Sequence, residues 1–460
     1  MTSIEITPLP YHPAPLAYFT QLRKRPDAVL LDSGRPAAPG GRYDILTSDP
    51  LALLEVDHRG KVSGVDDLAE YSAFAAQQAL LERLAGSVPR SELPFLGGLI
   101  GYWAYDLGHV TAPVHKRAHR TTSLPASRVG LYDWALIQDH QERQSWLVAS
   151  PERRQQVMAW LAAIDGVGPG LGPEHENEPP AADFRLTGAF SGELSRQDYL
   201  TRFERVQAYI RAGDCYQINL AQRFSAPYQG DLWQAYQQLR LATPTPYAGY
   251  LAWGDSAILS LSPERFLGCV DGRVETRPIK GTRPRGTNKR EDQALADSLL
   301  QSTKDRAENV MIVDLLRNDL GRVCRTGSVQ VPQLCGLESY ANVHHLVSVV
   351  TGELAAGQSP LDLLAAAFPG GSITGAPKVR AMQIIDELEP SSRGVYCGSL
   401  GYVDRRGHMD TSIAIRTAVA DRGTLHLWGG GGLVADSEGE AEYAETLDKI
   451  RHLMAALDNA

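Results

Sequence analysis

Cysteine is scarce in this chain, with five in 460 residues at Cys215, Cys269, Cys324, Cys335 and Cys397. The number is odd, the positions are scattered and none falls in CxxC spacing, which argues against a disulfide framework and a zinc site and predicts a reducing, cytoplasmic setting. No segment reaches the roughly 18 uninterrupted apolar residues that a membrane span needs. The N-terminal MTSIEITPLPYHP lacks the basic and apolar regions of an export leader, so the expectation is a chain neither exported nor inserted, with no membrane partner. A basic stripe is also missing. The net charge is −9 with both signs interspersed, which disfavours nucleic acid as a partner and points to a small ligand. No fixed-period repeat occurs, which excludes solenoids and propellers.

What is present is a globular composition, 43% apolar, long enough for two to four domains. One composition break stands out: DGVGPGLGPEHENEPPAAD, rich in Gly, Pro and acid, reads as a surface linker. The expected division is an N-terminal region 1–164, a linker 165–186 and a main region 187–460. Before the linker, short β-like runs (DAVLLDSG, RYDILTSDP, LALLEVD, RVGLYDWALIQDH) alternate with helical stretches, a mixed α/β reading. After it, Ser195 is placed to cap a helix over 195–214. Strands are then predicted in YQINLAQRFSAPY, AGYLAWG, SAILSLSPERFLGCV and GRVETRPIKGT, followed by one long helical pattern over 290–323. The whole is α+β, antiparallel sheet plus long helices.

Two glycine-rich turns, FPGGSITGAPKVRAM and LWGGGGLVADSEGEAEYAETLDK, bracket the strand MDTSIAIRTAV. Glycines let backbone N–H groups approach an anion, and the second turn leads into a helix on which Glu438, Glu442 and Glu445 share one face. In KDRAENVMIVDLLRND, Asp305 and Glu308 sit one turn apart on a helix whose apolar residues, Val310 among them, predict burial over most of its circumference. Acids from two helices suit Mg²⁺, although acidic stripes are usually only solvated faces. Arg416 is expected to project from a small-residue face of its strand, as a carboxylate site or a structural ion pair. GSITGAPK departs from a nucleotide-binding loop, because Gly375 is followed by Ala376 and Pro377 rather than by lysine; Lys378 then faces solvent or pairs with an acid. Lys280 at a strand end is a candidate nucleophile or a surface lysine, and Glu264 in SPERF is a candidate general acid.

In order along the chain, SPERF, RPIKGTRPRG, DRAENVMIVDLLRNDLGRV, HHLVS, FPGGSITGAPKVRAM, GSLGYVD, IAIRT and GGGGLVADSEGEAEYAETLDK resemble the blocks of the chorismate-utilising enzyme family. The resemblance implies a large α+β fold of mostly antiparallel sheets forming a sandwich with helices packed outside. It also implies chorismate as substrate. Members that add water at C2 carry a lysine where this chain reads Gln217, whereas amine-adding members carry Gln. Anthranilate-forming members typically read PIAGT, whereas PIKGT with Lys280 is the form of members that place nitrogen at C4.

By the same resemblance, Glu308 and Glu445 would hold Mg²⁺, with Glu442 and Asp305 acting through water. Ser372, Gly430, Gly431 and Gly432 would donate to carboxylate oxygens; Gly281, Tyr396 and Arg416 would hold the substrate, with His345 near its C4 hydroxyl. Lys280 would attack C2 while Glu264 protonates the departing hydroxyl. A separate glutamine amidotransferase would supply ammonia. Ser33, Arg42, Tyr43 and Asp44 with Pro246 and Tyr247 resemble a tryptophan pocket, regulatory or structural. The rival readings are an anthranilate-forming enzyme and a catalytically dead subunit that binds an anionic metabolite.

Overall fold

The computed structural model describes residues 3–458 except 13, 15, 39, 85, 113, 115–118, 121, 163–182 and 340–342. Most of the expected linker lies outside the described residues; at its end, Arg185–Leu186 form a short strand against Gln217–Gln229. Two sheets dominate, of 13 and 11 strands, and every ladder between their strands is antiparallel. Both sheets take strands from either side of the linker. Val29–Asp32 pairs with Tyr247–Trp253 in the first, and Gly98–Trp103 with Ser399–Asp404 in the second. The runs read as mixed α/β before the linker are therefore antiparallel members of the same two sheets as the strands after it.

The sheets face each other across one core. Val29, Ile45 and Ile258 of the first pack with Ile100, Tyr102 and Leu400 of the second. The adjacent residues Leu30, Leu46 and Leu259 point to the opposite face of the first sheet, where helices Ala17–Leu22, Pro151–Leu161, Leu232–Ala242 and Gly439–Asp458 cover them through Phe19, Leu161, Trp233 and Leu453. A sheet covered on both faces needs apolar residues at successive positions, hence the unbroken runs VLL at 29–31 and AIL at 257–259. The sandwich with outer helices expected from the resemblance is present.

Ser195 caps Arg196–Arg211 in a reciprocal capping box with Asp198, as its position predicted. Three expected elements are broken. The helical pattern 290–323 splits into Lys289–Gln301 and Thr303–Gly321, because extended Ser302 turns its hydroxyl to the Asp305 N–H and starts a new helix. SAILSLSPERFLGCV divides at Pro263 and MDTSIAIRTAV divides at 414–416. Val310 is 46% exposed, so helix Thr303–Gly321 buries one side, through Ile312, Val313 and Leu316, rather than most of its circumference.

Candidate active site

Both strand breaks are crossings from one sheet to the other. Ser256–Ser262 lies in the first sheet and Arg265–Val270 in the second; Met409–Ile413 lies in the second and Thr417–Asp421 in the first. Pro263 has no N–H to continue a ladder, and Arg416 adopts left-handed φ of 51°. The crossings are stitched together: the Ile413 N–H donates to the Glu264 carbonyl at 3.0 Å and the Leu261 N–H to the Arg416 carbonyl at 3.0 Å. Glu264 and Arg416 therefore enter one cavity of about 690 Å³. Arg416 does so from a crossing, not from the face of a continuous strand.

Lys280 enters from a third irregularity. Strand Ile279–Pro284 pairs with Val343–Glu353, but the register slips between Lys280↔Leu346 and Thr282↔His345. Gly281 occupies the bulge with φ of 80°, and a Cβ there would meet Leu299 Cδ1 at 2.9 Å and Asp305 Cβ at 3.0 Å. Such bulges re-aim a side chain. Here Lys280 is aimed at the cavity, and its Nζ lies 3.4 Å from where a Cβ on Gly432 would stand. The buried Gln217 amide reaches the same spot, its Nε2 at 2.6 Å, and neither of its polar atoms has a hydrogen-bond partner among the described residues.

Gly429–Gly432 are strand, not turn: they pair in register with Gln222, Ala221, Leu220 and Asn219. Their lack of side chains lets neighbours close on both faces. Tyr396 OH and Gln217 crowd Gly430 and Gly432, while the Thr446 carbonyl and the Glu442 carboxylate crowd Gly429 and Gly431. The ladder to Thr417–Asp421 ends at the Val419↔His426 pair, which leaves the far edge of the strand open. Lys449 donates to the Gly430 carbonyl at 2.8 Å from that edge. By strand alternation the N–H groups of Gly430 and Gly432 also face it, whereas Gly431 points into the ladder and does not line the cavity.

The acids arrive on two helices. Asp305 and Glu308 come from Thr303–Gly321, and Glu442 and Glu445 from Gly439–Asp458; all four line the cavity, and Glu438 is exposed outside it. Glu445 is held by Lys449 at 2.6 Å, Glu442 by Ser437 at 2.6 Å with Lys304 at 3.9 Å, and Asp305 by Arg283 at 3.1 Å. Sequence reasoning missed Lys304 and Lys449, although Lys449 stands one turn from Glu445 and was legible as its i,i+4 partner. Lys378 forms a buried pair with Asp319 at 2.7 Å, away from solvent.

Burial sets the protonation states. The Glu264 carboxyl is pushed up to about 7 by burial, against the pull of the Ser372 hydroxyl at 2.9 Å and the Lys280 charge. Ser372 thus donates to Glu264. Lys280 is pulled down by burial, opposed mainly by Glu308. His345 is pushed down to about 4 by burial and the Arg416 charge, so it is neutral near pH 7, and its Nδ1 lies 2.9 Å from Thr282 Oγ1. Tyr396 stacks on Trp428 at 5.7 Å. Among the described residues no acid pairs with the Arg416 guanidinium, and burial pulls its pKa down. A half-buried guanidinium that faces a cavity with no acid partner among the described residues fits an anionic ligand.

A second cavity of about 290 Å³ lies between the sheets and is lined by Arg42, Tyr43, Pro246 and Tyr247, which the sequence analysis grouped together. Ser33 and Asp44 do not line it. Asp44 accepts from Ser33 N and Oγ at 2.8 and 2.6 Å and contacts His140 at 2.7 Å. Asp32, bonded to Arg240 and Tyr236, lines it instead.

With sheets, crossings and cavity in place, the chain belongs to the chorismate binding enzyme family, whose sequence profile matches residues 28–455. It is 47% identical over 466 residues to aminodeoxychorismate synthase component 1 of Klebsiella aerogenes, covering all of both chains. It is 45% identical over 445 residues to aminodeoxychorismate synthase component 1 of Escherichia coli (strain K12), covering 96% of this chain and 95% of that one. The crystal structure of anthranilate synthase component I from Streptococcus pneumoniae TIGR4 superposes with a TM-score of 0.78 at 30% identity, over 90% of this chain and 92% of the other.

Proposed function

We propose that this enzyme converts chorismate and ammonia to 4-amino-4-deoxychorismate, the precursor of 4-aminobenzoate and folate. The observation that carries the reading is Lys280: a half-buried amine, re-aimed by a glycine bulge into the cavity that also holds the buried Glu264 carboxyl. The full-length similarity to proteins named aminodeoxychorismate synthase component 1 supports it.

Arg416 and the open edge at Gly430 and Gly432 bind the substrate's carboxylates, and the Tyr396–Trp428 stack walls the ring. Neutral Lys280 adds to C2, the ring double bonds shift, and the C4–O bond breaks as Glu264 gives its proton to the hydroxyl, which leaves as water. Ammonia then adds at C4, the double bonds shift back, and the C2–N bond to Lys280 breaks to regenerate the amine. Two displacements replace one difficult exchange. His345, neutral, is placed to hydrogen-bond the C4 hydroxyl without charge, and Gln217, which does not line the cavity, lies behind Gly432 beside Lys280 with both amide atoms unsatisfied among the described residues.

Among the described residues no three acids stand close enough to hold a metal by themselves, but Asp305, Glu308, Glu442 and Glu445 line one cavity and suit Mg²⁺, which completes its shell with water and substrate oxygens. Burial raises Glu308 and Glu442, each raised further by neighbouring carboxylates, while Lys449 holds Glu445 down against burial, so a cation at this place would relieve the repulsion among them. Glu308 and Glu445 would hold the ion, with Glu442 and Asp305 acting through water. When bound, Mg²⁺ neutralises these carboxylates and grips the ring carboxylate of chorismate.

Nitrogen comes from a separate glutamine amidotransferase. The purified chain is expected to use ammonium salts and to ignore glutamine until that partner is added, a comparison followed by product chromatography; glutamine-dependent turnover by the chain alone would contradict it. The reaction sits in the cytoplasm, consistent with five free, buried thiols and with no described helix long and apolar enough to cross a membrane. The second cavity takes tryptophan between Tyr43, Tyr247 and Tyr402, and mass spectrometry of the denatured protein tests for it.

A pH profile tests the acid. Because the fold raises Glu264, its protonated form is the favoured one, and that contribution is lost as pH rises from the ordinary carboxyl range through about 7. At constant free NH₃, kcat/KM for chorismate is expected to fall on an alkaline limb centred near pH 7, and Glu264→Gln is expected to lose most turnover. A profile flat from pH 6 to 9 would remove Glu264 from the acid role.

A further inference from the structure

Glu264 and Arg265 are neighbours that face different cavities. Glu264 points into the active site, and Arg265, on the opposite face by strand alternation, lines the second cavity. Between them and the regular strand lies a bulge: Arg265 pairs with Ser412 and Leu267 with Thr411, leaving Phe266 without a partner in the ladder to Met409–Ile413. The Glu264 carbonyl still accepts from the Ile413 N–H, but the ladder that would continue from it is interrupted two residues on.

The Arg265 side chain bridges that interruption. Its Nε and Nη2 fork onto the Asp410 carboxylate at 2.9 and 2.6 Å, and its Nη1 reaches Glu275 at 3.0 Å. Asp410 lies on the strand to one side of Arg265–Val270 and Glu275 on the strand to the other. The guanidinium therefore ties three strands together across the bulge, and its Cζ lies 5.8 Å from the centre of the Tyr247 ring. The bulged Phe266 is fixed as well: its carbonyl accepts from Thr276 Oγ1 at 2.6 Å, and its ring packs edge-on against Phe368, four residues before Ser372.

We propose that Arg265 is a positioning residue, a strap across the bulge that fixes the carboxyl of Glu264 in the active-site cavity. The inference rests on the reading of Glu264 as the acid. Lysine cannot replace the arginine, since one ammonium cannot fork onto Asp410 and also reach Glu275, whereas it keeps the local charge unchanged. The groups facing Glu264 remain the same in such a variant: the Ser372 hydroxyl, the Ile279 N–H, the Lys280 and Lys449 amines and the Cys397 thiol.

The test is Arg265→Lys in the full chain, with Glu264→Gln as control. Arg265→Lys is expected to lower kcat about tenfold, with KM for chorismate changed less than about threefold. It should also move the alkaline limb to lower pH by roughly half a unit as the freed carboxyl gains solvent. Amide hydrogen exchange over residues 262–268 should quicken while the melting midpoint changes little. The proposal is overturned if kcat stays within twofold of the parent with limb and exchange unmoved, or if kcat falls only in step with the melting midpoint and the limb stays in place. An active Glu264→Gln would instead overturn the acid assignment itself.

Discussion

Lys280→Ala is expected to lower formation of 4-amino-4-deoxychorismate by at least roughly a thousandfold, about 4 kcal/mol of transition-state stabilisation, with chorismate binding changed far less. The split follows from the geometry. Substrate anions are held by Arg416, the open strand edge and the acid cluster with its cation, none of which the substitution touches. The attacking atom alone is lost. Lys280→Arg should fail as completely, because a guanidinium stays protonated and cannot add to carbon. Steady-state kinetics with chorismate binding followed separately by fluorescence reads both. Near-normal turnover in Lys280→Arg would mean that the residue serves only as a positive charge.

Glu308→Gln and Glu445→Gln are expected to abolish turnover and to weaken Mg²⁺ binding by at least tenfold in titration calorimetry, without unfolding the chain. For Glu308 the sign of the stability change is fixed. Burial raises its pKa, so its contribution to the fold is present when it is protonated and is lost as pH rises through its folded value. A neutral amide there should leave the melting midpoint equal or higher. Full activity in either variant, or turnover indifferent to EDTA, would remove these residues from the metal.

The parts of the site that were legible in the sequence are those fixed by residue type and local order. Lys280, Glu264, Glu308, Glu442, Glu445 and Arg416 were all singled out, and all line one cavity. What could not be read was how the chain delivers them. MDTSIAIRTAV alternates as a single strand would, yet it changes sheets at Arg416, because a crossing between two sheets needs only one residue in an unusual conformation and leaves the hydrophobic pattern intact. Four glycines in a row read as a turn, since nothing local distinguishes a turn from a strand crowded on both faces by Tyr396, Gln217 and Glu442. Ser302 carried a capping signal that a long apolar periodicity overrode. Ser33 and Asp44 were grouped with the second cavity by resemblance to a tryptophan pocket, but strand alternation turns Asp44 away from Tyr43, to accept from Ser33 and contact His140.

The central claim is the position at which nitrogen enters. Incubating the purified chain with chorismate, Mg²⁺ and ammonium at pH 8, and identifying products by mass spectrometry alongside an assay for pyruvate, tests it directly. The expected product is 4-amino-4-deoxychorismate with its enolpyruvyl group retained and no release of pyruvate. Anthranilate formed with stoichiometric pyruvate would contradict it, and so would unchanged chorismate.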